Sequence, residues 1–225
     1  MNECAMKPIT QLREQLANSI AALVLADMGF RWFARECRFE RWKGDKYEYI
    51  SVDCITYPDG CTITSCAGIG FRKVAALLKK CPLISSRFRS MCETARPVSY
   101  AIQILPPQPN DSWFIKDVSD VEDVSKHYSQ NGVPQGVSLF SRLDTLEQLI
   151  EHFKSQEFNA SMPETGHYIL AASMYVNGDT SGAVAELAKY IDRQNHLYAN
   201  PRIPSARLAE IANAEYVLSW FQCLK

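Results

Sequence analysis

The sequence predicts an α+β fold, in which an antiparallel β-meander packs against an N-terminal helix and a C-terminal all-helical subdomain follows. Segments with strand character cluster before Val118, and segments with helical periodicity dominate after it. A parallel doubly wound sheet is disfavoured, because its strands and helices would alternate along the chain. The strongest single element is a long hairpin over residues 47–71.

Two β-rich runs flank the turn of this hairpin. Pro58 presets the φ angle that the first central position of a type I turn needs, and Asp59 tolerates the second. Gly60 is expected to take the left-handed conformation that closes a hairpin with a bulge. The second run alternates between apolar and small polar residues, which predicts one buried face; the apolar set is Ile63, Ala67, Ile69 and Phe71.

The elements around the hairpin follow from periodicity. A helix is predicted from Thr10 to about Asp27, with Gly29 just beyond it as a terminator. Its apolar stripe has helical spacing; the members are Leu12, Leu16, Ile20, Leu23 and Val24. Residues 30–42 are predicted to be extended, residues 43–46 a turn, residues 98–105 a further strand and residues 113–115 a last strand.

Helices are predicted for most of the rest of the chain. Residues 120–128 form a short acidic helix, and Asp144 with Glu147 is interpreted as a capping box that begins the next one. Helices over residues 165–176 and from about 180, joined by residues 177–179, look like one tetratricopeptide-type hairpin. One such unit cannot form a solenoid, so we interpret it as a helical cap.

Charge is distributed unevenly between the two halves of the 225-residue chain. Residues 1–109 carry 15 basic and 10 acidic side chains, whereas residues 110–225 carry 9 and 15. The proline-rich connector at residues 106–111 falls where the sign changes, which predicts a boundary there. Residues 1–109 would hold the helix and sheet, and residues 110–225 an acidic connector, a last strand and the helical cap, together in one compact unit.

The expected compartment is the cytoplasm. The first residues lack the pattern of a signal peptide, and no apolar run approaches the length that spans a membrane. The eight cysteines include no Cys-x-x-Cys pair, so reduced thiols are expected. A zinc site built from Cys54, Cys61 and Cys66 is disfavoured, because structural zinc sites usually use closely spaced ligand pairs.

No motif in the sequence carries chemistry. The four histidines form no His-Glu-x-x-His pattern, and neither a nucleophile elbow nor a phosphate-binding loop occurs. Gly68-Ile69-Gly70 lacks the third glycine of a dinucleotide-binding turn, since Lys73 stands there, and is interpreted as room for close packing. We therefore expect no catalytic residue, no cofactor and no metal site.

Two charged regions bear on partners. Arginines and aromatic residues interleave over residues 30–49, but the net charge there is only +2, so cross-strand ion pairs are favoured over nucleic-acid binding. Asp53 is expected on the solvent face of the sheet. Residues 72–96 carry a net charge of +6 and are interpreted as a solvated face.

The order of elements resembles the bacterial domain-of-unknown-function family number 4304 over roughly residues 10–155. An amphipathic helix leads into Met28-Gly29-Phe30-Arg31, a sheet ends at Ala67-Gly68-Ile69-Gly70-Phe71, and a hydrophobic segment, residues 136–143, precedes a capped helix. In that family the last segment is a short strand and turn. The resemblance implies no catalytic residues, and related domains are similar to immunity proteins that bind bacterial toxins.

Two functional hypotheses follow. The first is a non-enzymatic protein-binding protein, immunity- or antitoxin-like, that binds a basic toxin or nuclease and neither nucleic acid nor a membrane. Its partner-binding residues would be acidic side chains around one short helix; they are Asp117, Asp120, Glu122 and Asp123. The alternative is an enzyme of unknown reaction, with a site between the sheet and the helical cap.

Overall fold

The computed structural model describes residues 9–87, 100–108, 112–155, 164–197 and 205–224, and it confirms the predicted α+β class. The sheet is an antiparallel meander in the order β1-β2-β3-β4-β5, with β6 paired to β4. Its strands are β1 (Arg31–Phe33), β2 (Arg38–Lys43), β3 (Lys46–Tyr57), β4 (Gly60–Phe71), β5 (Tyr100–Ile104) and β6 (Phe114–Ile115).

The α-helices of the described residues lie mostly in the C-terminal half. They are α1 (Ile9–Ile20), α2 (Arg72–Lys80), α3 (Pro82–Arg87), α4 (Asp120–Asn131), α5 (Val133–Arg142), α6 (Leu146–Ser155), α7 (Glu164–Val176), α8 (Thr180–Leu197) and α9 (Ser205–Gln222). None of these helices has the length and apolar composition needed to span a bilayer.

Contacts divide the chain into two compact units. The first comprises residues 1–69 and 101–142, and the second comprises residues 70–100 and 143–225. This division differs from the predicted boundary at residue 109, since the connector lies inside the first unit. In the first unit α1 packs on β3 and α4. In the second unit α7 packs against α2, α6 and α8.

The predicted hairpins are present. Residues 44 and 45 connect β2 to β3, with Lys43 opposite Lys46. Side chains of β4 alternate as expected: Ile63, Ala67 and Ile69 are buried, whereas Thr62 and Thr64 are half-buried. The predicted last strand is also confirmed, because β6 pairs with the beginning of β4. Residues 98 and 99 of the predicted 98–105 strand lie outside the described residues.

Gly60 is required for a different reason from the predicted one. Its φ is +156°, which is positive but far from the left-handed helical region. The residue is buried, and a Cβ there would lie 2.6 Å from Phe114 Cζ and in collision with the carbonyl oxygen of Ile115. The glycine therefore lets β6 approach the hairpin. Gly68 plays the expected packing role, because a Cβ there would collide with the ring of Tyr49.

The N-terminal helix changes type before its predicted end. Residues 21–25 form a π-helical turn, closed by the N–H of Ala26 donating to the carbonyl of Ala21 at 3.1 Å. The wider turn shifts the apolar stripe, so that Leu25 is buried while Leu23 is 47% exposed. The expectation that Leu23 belongs to a buried stripe was wrong.

Two expectations near residue 140 were also wrong. Residues 133–142 form helix α5 and not a strand and turn; Val133, Gly136 and Leu139 recur three residues apart and are buried. The cap of α6 is shifted by one residue. The Thr145 hydroxyl accepts from the N–H of Gln148 at 3.3 Å, and the Gln148 side-chain oxygen accepts from the N–H of Thr145 at 3.0 Å.

The helical pair of the second unit is built as predicted. Asp179 caps α8 by accepting the N–H of Gly182 at 2.8 Å, and its own N–H donates to the carbonyl of Met174 at 2.9 Å. Between the two helices, the buried ring of His167 stacks on Tyr190 with centroids 4.1 Å apart. His167 Nδ1 lies 3.1 Å from Glu186 Oε1.

A buried ion cluster lies in the first unit. The Glu48 side chain is fully buried, with the Arg41 guanidinium hydrogen-bonded to one carboxylate oxygen and Lys46 Nζ 2.8 Å from the other. Arg41 and Glu48 are direct cross-strand partners, as the interleaved pattern predicted. The two cations also donate to backbone carbonyls, Arg41 to Met28 at 2.7 Å and Lys46 to Phe140 at 2.6 Å.

A second buried polar contact joins the sheet to α4. The hydroxyls of Ser65 and Tyr128 lie 2.6 Å apart, and the Tyr128 ring packs edge-on against Trp113 with centroids 4.9 Å apart. Burial raises the pKa of Tyr128 well above its usual range, and the hydrogen bond to Ser65 opposes this only in part. The phenol therefore stays protonated in the folded protein at pH values where an exposed tyrosine ionises.

Gly60→Ala should destabilise the protein more than Gly44→Ala. Both glycines have positive φ, but nothing lies within 4 Å of a Cβ built at Gly44. We expect a loss of about 1 kcal/mol at Gly44 from backbone strain, and about 3 kcal/mol at Gly60 from strain and overpacking together. Urea unfolding of both variants measures this. Equal losses would show that β6 does not restrict the turn.

Tyr128→Phe should cost about 1 kcal/mol at neutral pH, through the lost hydrogen bond to Ser65. Because the folded pKa is raised above the unfolded value of about 10, the wild type loses stability as the pH rises through that value, by about 1.4 kcal/mol at pH 11. The variant lacks this loss, so the difference should vanish by pH 11. Urea unfolding at several pH values measures it, with the exposed Tyr57→Phe as the control. A constant difference would contradict the prediction.

Candidate functional site

The four predicted acidic residues lie where β6 leads into α4, and the structure gives them two different roles. Asp117 accepts the N–H of Ser119 at 2.8 Å, and its carboxylate also accepts the Ser119 hydroxyl. The Asp120 carboxylate accepts the N–H groups of Lys116 at 2.8 Å and of Asp117 at 3.0 Å. Asp117 and Asp120 thus form a reciprocal cap at the entry to the helix, three residues apart.

This cap consumes much of the acceptor capacity of both carboxylates. The hydrogen bonds from the side chain and the backbone of Ser119 lower the pKa of Asp117 below its ordinary value. Asp120 is half-buried, and one of its oxygens already accepts two backbone N–H groups. Asp117 and Asp120 therefore stabilise the turn before α4, and they are poor candidates for binding a partner's cations.

Glu122 and Asp123 have the other role. Both side chains are exposed in the first turn of α4, where the helix dipole favours negative charge. The acidic surface available to a partner is therefore narrower than the sequence predicted, with these two carboxylates as its centre.

Glu122 lies on the rim of a surface groove between α1, its π-helical turn and α4. Four residues give the groove an apolar lining: Ala22, Leu23, Val118 and Val121. Leu23 is 47% exposed and Val118 39% exposed, although both are apolar. We call this surface the α1–α4 groove.

Polar groups complete the α1–α4 groove. Gln15 and Ser19 line it from α1, and Lys126 lies one helical turn beyond Glu122 on α4. The Gln15 Oε1 atom is buried and accepts no hydrogen bond. A buried acceptor without a donor is costly, so a donor that entered the groove would be favoured. The groove can therefore hold an apolar side chain next to a cation or an N–H donor.

The sequence indicated the acidic part of this surface and missed its apolar part. Leu23 was placed in the core because its spacing suits a regular α-helix, and the π-helical turn overturned that placement. Val118 was used only to mark the end of the strand-rich region. The Asp117-x-x-Asp120 spacing is a readable signal of a reciprocal cap, and it would have separated the two structural acids from the two exposed ones.

The other candidate residues are placed as follows. Asp53 is exposed, as expected, and its carboxylate accepts the N–H of Cys54 at 2.7 Å. The cysteines in the described ranges are thiols and not disulfides. In the same ranges, no group of three or more histidine, cysteine, aspartate or glutamate side chains is arranged to hold a metal ion.

No protein-family model, curated protein or solved structure matches the chain. The resemblance to family number 4304 therefore stays a prediction that depends on the order of elements. One of those elements differs, since residues 133–142 form a helix where that family has a short strand and turn.

Asp120→Ala should destabilise the protein by about 1 kcal/mol, whereas Asp123→Ala should change the free energy of unfolding by less than about 0.5 kcal/mol. The first substitution leaves the N–H groups of Lys116 and Asp117 without their acceptor. Both remove one carboxylate from the same helical turn, so overall charge is matched. Urea unfolding measures the two losses. Equal losses would show that Asp120 is not a cap.

Proposed function

We propose that this protein is a non-enzymatic binding protein that holds a basic protein partner on the α1–α4 groove. The observation that carries the proposal is the position of Glu122, an exposed carboxylate on the rim of a groove lined by the exposed apolar side chains of Leu23 and Val118. An apolar anchor beside a charge is a common arrangement at the centre and rim of protein interfaces.

Charge supports a basic partner. Residues 110–225 carry six more acidic than basic side chains, and Glu122 and Asp123 are exposed at the groove. Complementary charge speeds the encounter of two proteins and matters less for the affinity once they are docked. The acidic residues are therefore expected to act mainly on the association rate.

The apolar lining supports stable docking. Burial of the remaining exposed surface of Leu23 and Val118 is favourable by about 25 cal/mol per Å² of apolar area. Gln15 Oε1 adds a preference for a partner that brings an N–H donor, because the acceptor is already desolvated. An amphipathic segment with a lysine or arginine next to an aliphatic side chain satisfies all three features.

The class of partner follows from the resemblance to family number 4304. Related domains are similar to immunity proteins, so the proposed partner is a bacterial toxin, and a basic nuclease fits the charge of the groove. Binding is favoured over catalysis because the sequence has no nucleophile, metal-ligand or phosphate-loop motif. On this proposal the protein acts in the cytoplasm, where it blocks the toxin by covering it.

Reversal of two charges tests the proposal. The probe is the protein encoded by the adjacent gene, made catalytically inactive if it is a nuclease. Glu122→Lys with Asp123→Lys should slow its association about tenfold at low salt, and the effect should shrink as the salt concentration rises. Glu147→Lys with Glu151→Lys is the matched control, because both of these side chains are exposed and the net charge changes equally. Stopped-flow or surface-plasmon measurements give the rates.

Leu23→Ser supplies an independent arm, since it removes the apolar anchor without a change of charge. It should raise the dissociation rate and leave the association rate nearly unchanged. Equal association rates for the two charge variants, or no effect of Leu23→Ser, would contradict the groove as the binding site. Turnover of a small molecule by the purified protein, without any protein partner, would favour the enzyme hypothesis instead.

A further inference from the structure

The third strand extends beyond its neighbour on one side. The register between β2 and β3 ends at Arg38 opposite Ser51, and one more hydrogen bond joins the N–H of Val52 to the carbonyl of Cys37 at 2.8 Å. Cys37 has a φ of +49° and follows a 3₁₀ turn, so the chain turns away there. Strand β3 continues for five residues to Tyr57. In the described ranges, β4 is the only strand beside this last part.

The backbone direction on this edge follows from the same hydrogen bond. The N–H of Val52 points toward the β2 side, and backbone groups alternate between the two sides of a strand. The N–H and C=O groups of Thr56 therefore lie on that side as well, whereas those of Ile55 point toward β4. The N–H of Cys54 is already accepted by the Asp53 carboxylate.

The side chains next to this edge are apolar and exposed. Ile55 is 49% exposed and Tyr57 44% exposed, and they share one face of the sheet with the exposed Asp53. Two apolar side chains followed by a carboxylate define what a neighbouring strand would present. Its complement has aliphatic side chains opposite Tyr57 and Ile55 and a cation opposite Asp53.

We propose that the edge of β3 at residues 53–57 accepts an extended segment of a partner protein as an added strand. A five-residue edge is too short to bury the roughly 1,200 Å² that a stable dimer needs, which favours a peptide segment over a second copy of this chain. Strand addition gives affinity through the backbone and specificity through alternate side chains. This surface shares no residue with the α1–α4 groove, so the two proposals stand or fall separately.

A labelled peptide that contains the run Val-Thr-Val-Thr-Lys tests the proposal. In antiparallel register its valines lie opposite Tyr57 and Ile55, and its lysine lies opposite Asp53. Fluorescence anisotropy should show saturable binding, and a peptide of the same composition with the run Lys-Thr-Thr-Val-Val should bind at least about tenfold more weakly. N-methylation of the two threonines should abolish binding, because their N–H groups face β3. N-methylation of the two valines should leave it.

Proline variants of the protein supply the second arm. Thr56→Pro removes an N–H group on the open edge, so the fold should remain and peptide binding should weaken about tenfold or more. Ile55→Pro removes an N–H group that faces β4, so it should lower the melting temperature strongly. If Thr56→Pro unfolds the protein, the N-methylated peptides still decide the question on the wild type.

Three results would overturn the proposal. The first is no saturable binding of the peptide, and the second is an equal effect of both N-methylation patterns. The third is a concentration-dependent dimer of the wild type that Thr56→Pro abolishes, because the edge would then be occupied by a second copy.

Discussion

The carboxylate of Glu48 has no exposed surface, so its charge must be neutralised inside the protein. Arg41 and Lys46 do this, and their remaining donors reach the carbonyls of Met28, after the π-helical turn, and of Phe140, in α5. One buried charge thus fixes two strands, the exit of the N-terminal helix and a helix nearly a hundred residues away in sequence. Loss of one partner would leave an uncompensated charge, which is far more costly than loss of an exposed ion pair.

The same economy governs the acidic surface. Asp117 and Asp120 order the turn before α4, and this turn carries Val118 to the α1–α4 groove, where Glu122 follows one turn later. Structural and exposed acids therefore alternate within seven residues of sequence. A mutational scan that treats the four residues as one patch would mix a stability effect with a binding effect, and only the last two separate them.

Local signals predicted the elements, and contacts between distant segments decided the details. The alternation of β4, the turn at Gly44 and the cap at Asp179 depend on neighbouring residues, and they are as expected. The geometry of Gly60 depends on β6, more than fifty residues later, and the exposure of Leu23 depends on a π-helical turn that has no motif. The acids of the candidate site were readable from composition, whereas the groove beside them required the packing of α1 on α4.

The two compact units are interleaved along the chain, because the chain passes between them three times, near residues 69, 100 and 142. During synthesis, the ribosome must deliver residue 142 before the first unit has all of its parts. Until α4 and α5 emerge, Tyr128 is absent from Ser65, and Lys46 lacks its acceptor at Phe140. The nascent meander therefore spends the intervening period with its apolar face exposed, a state in which chaperone binding and aggregation compete with folding.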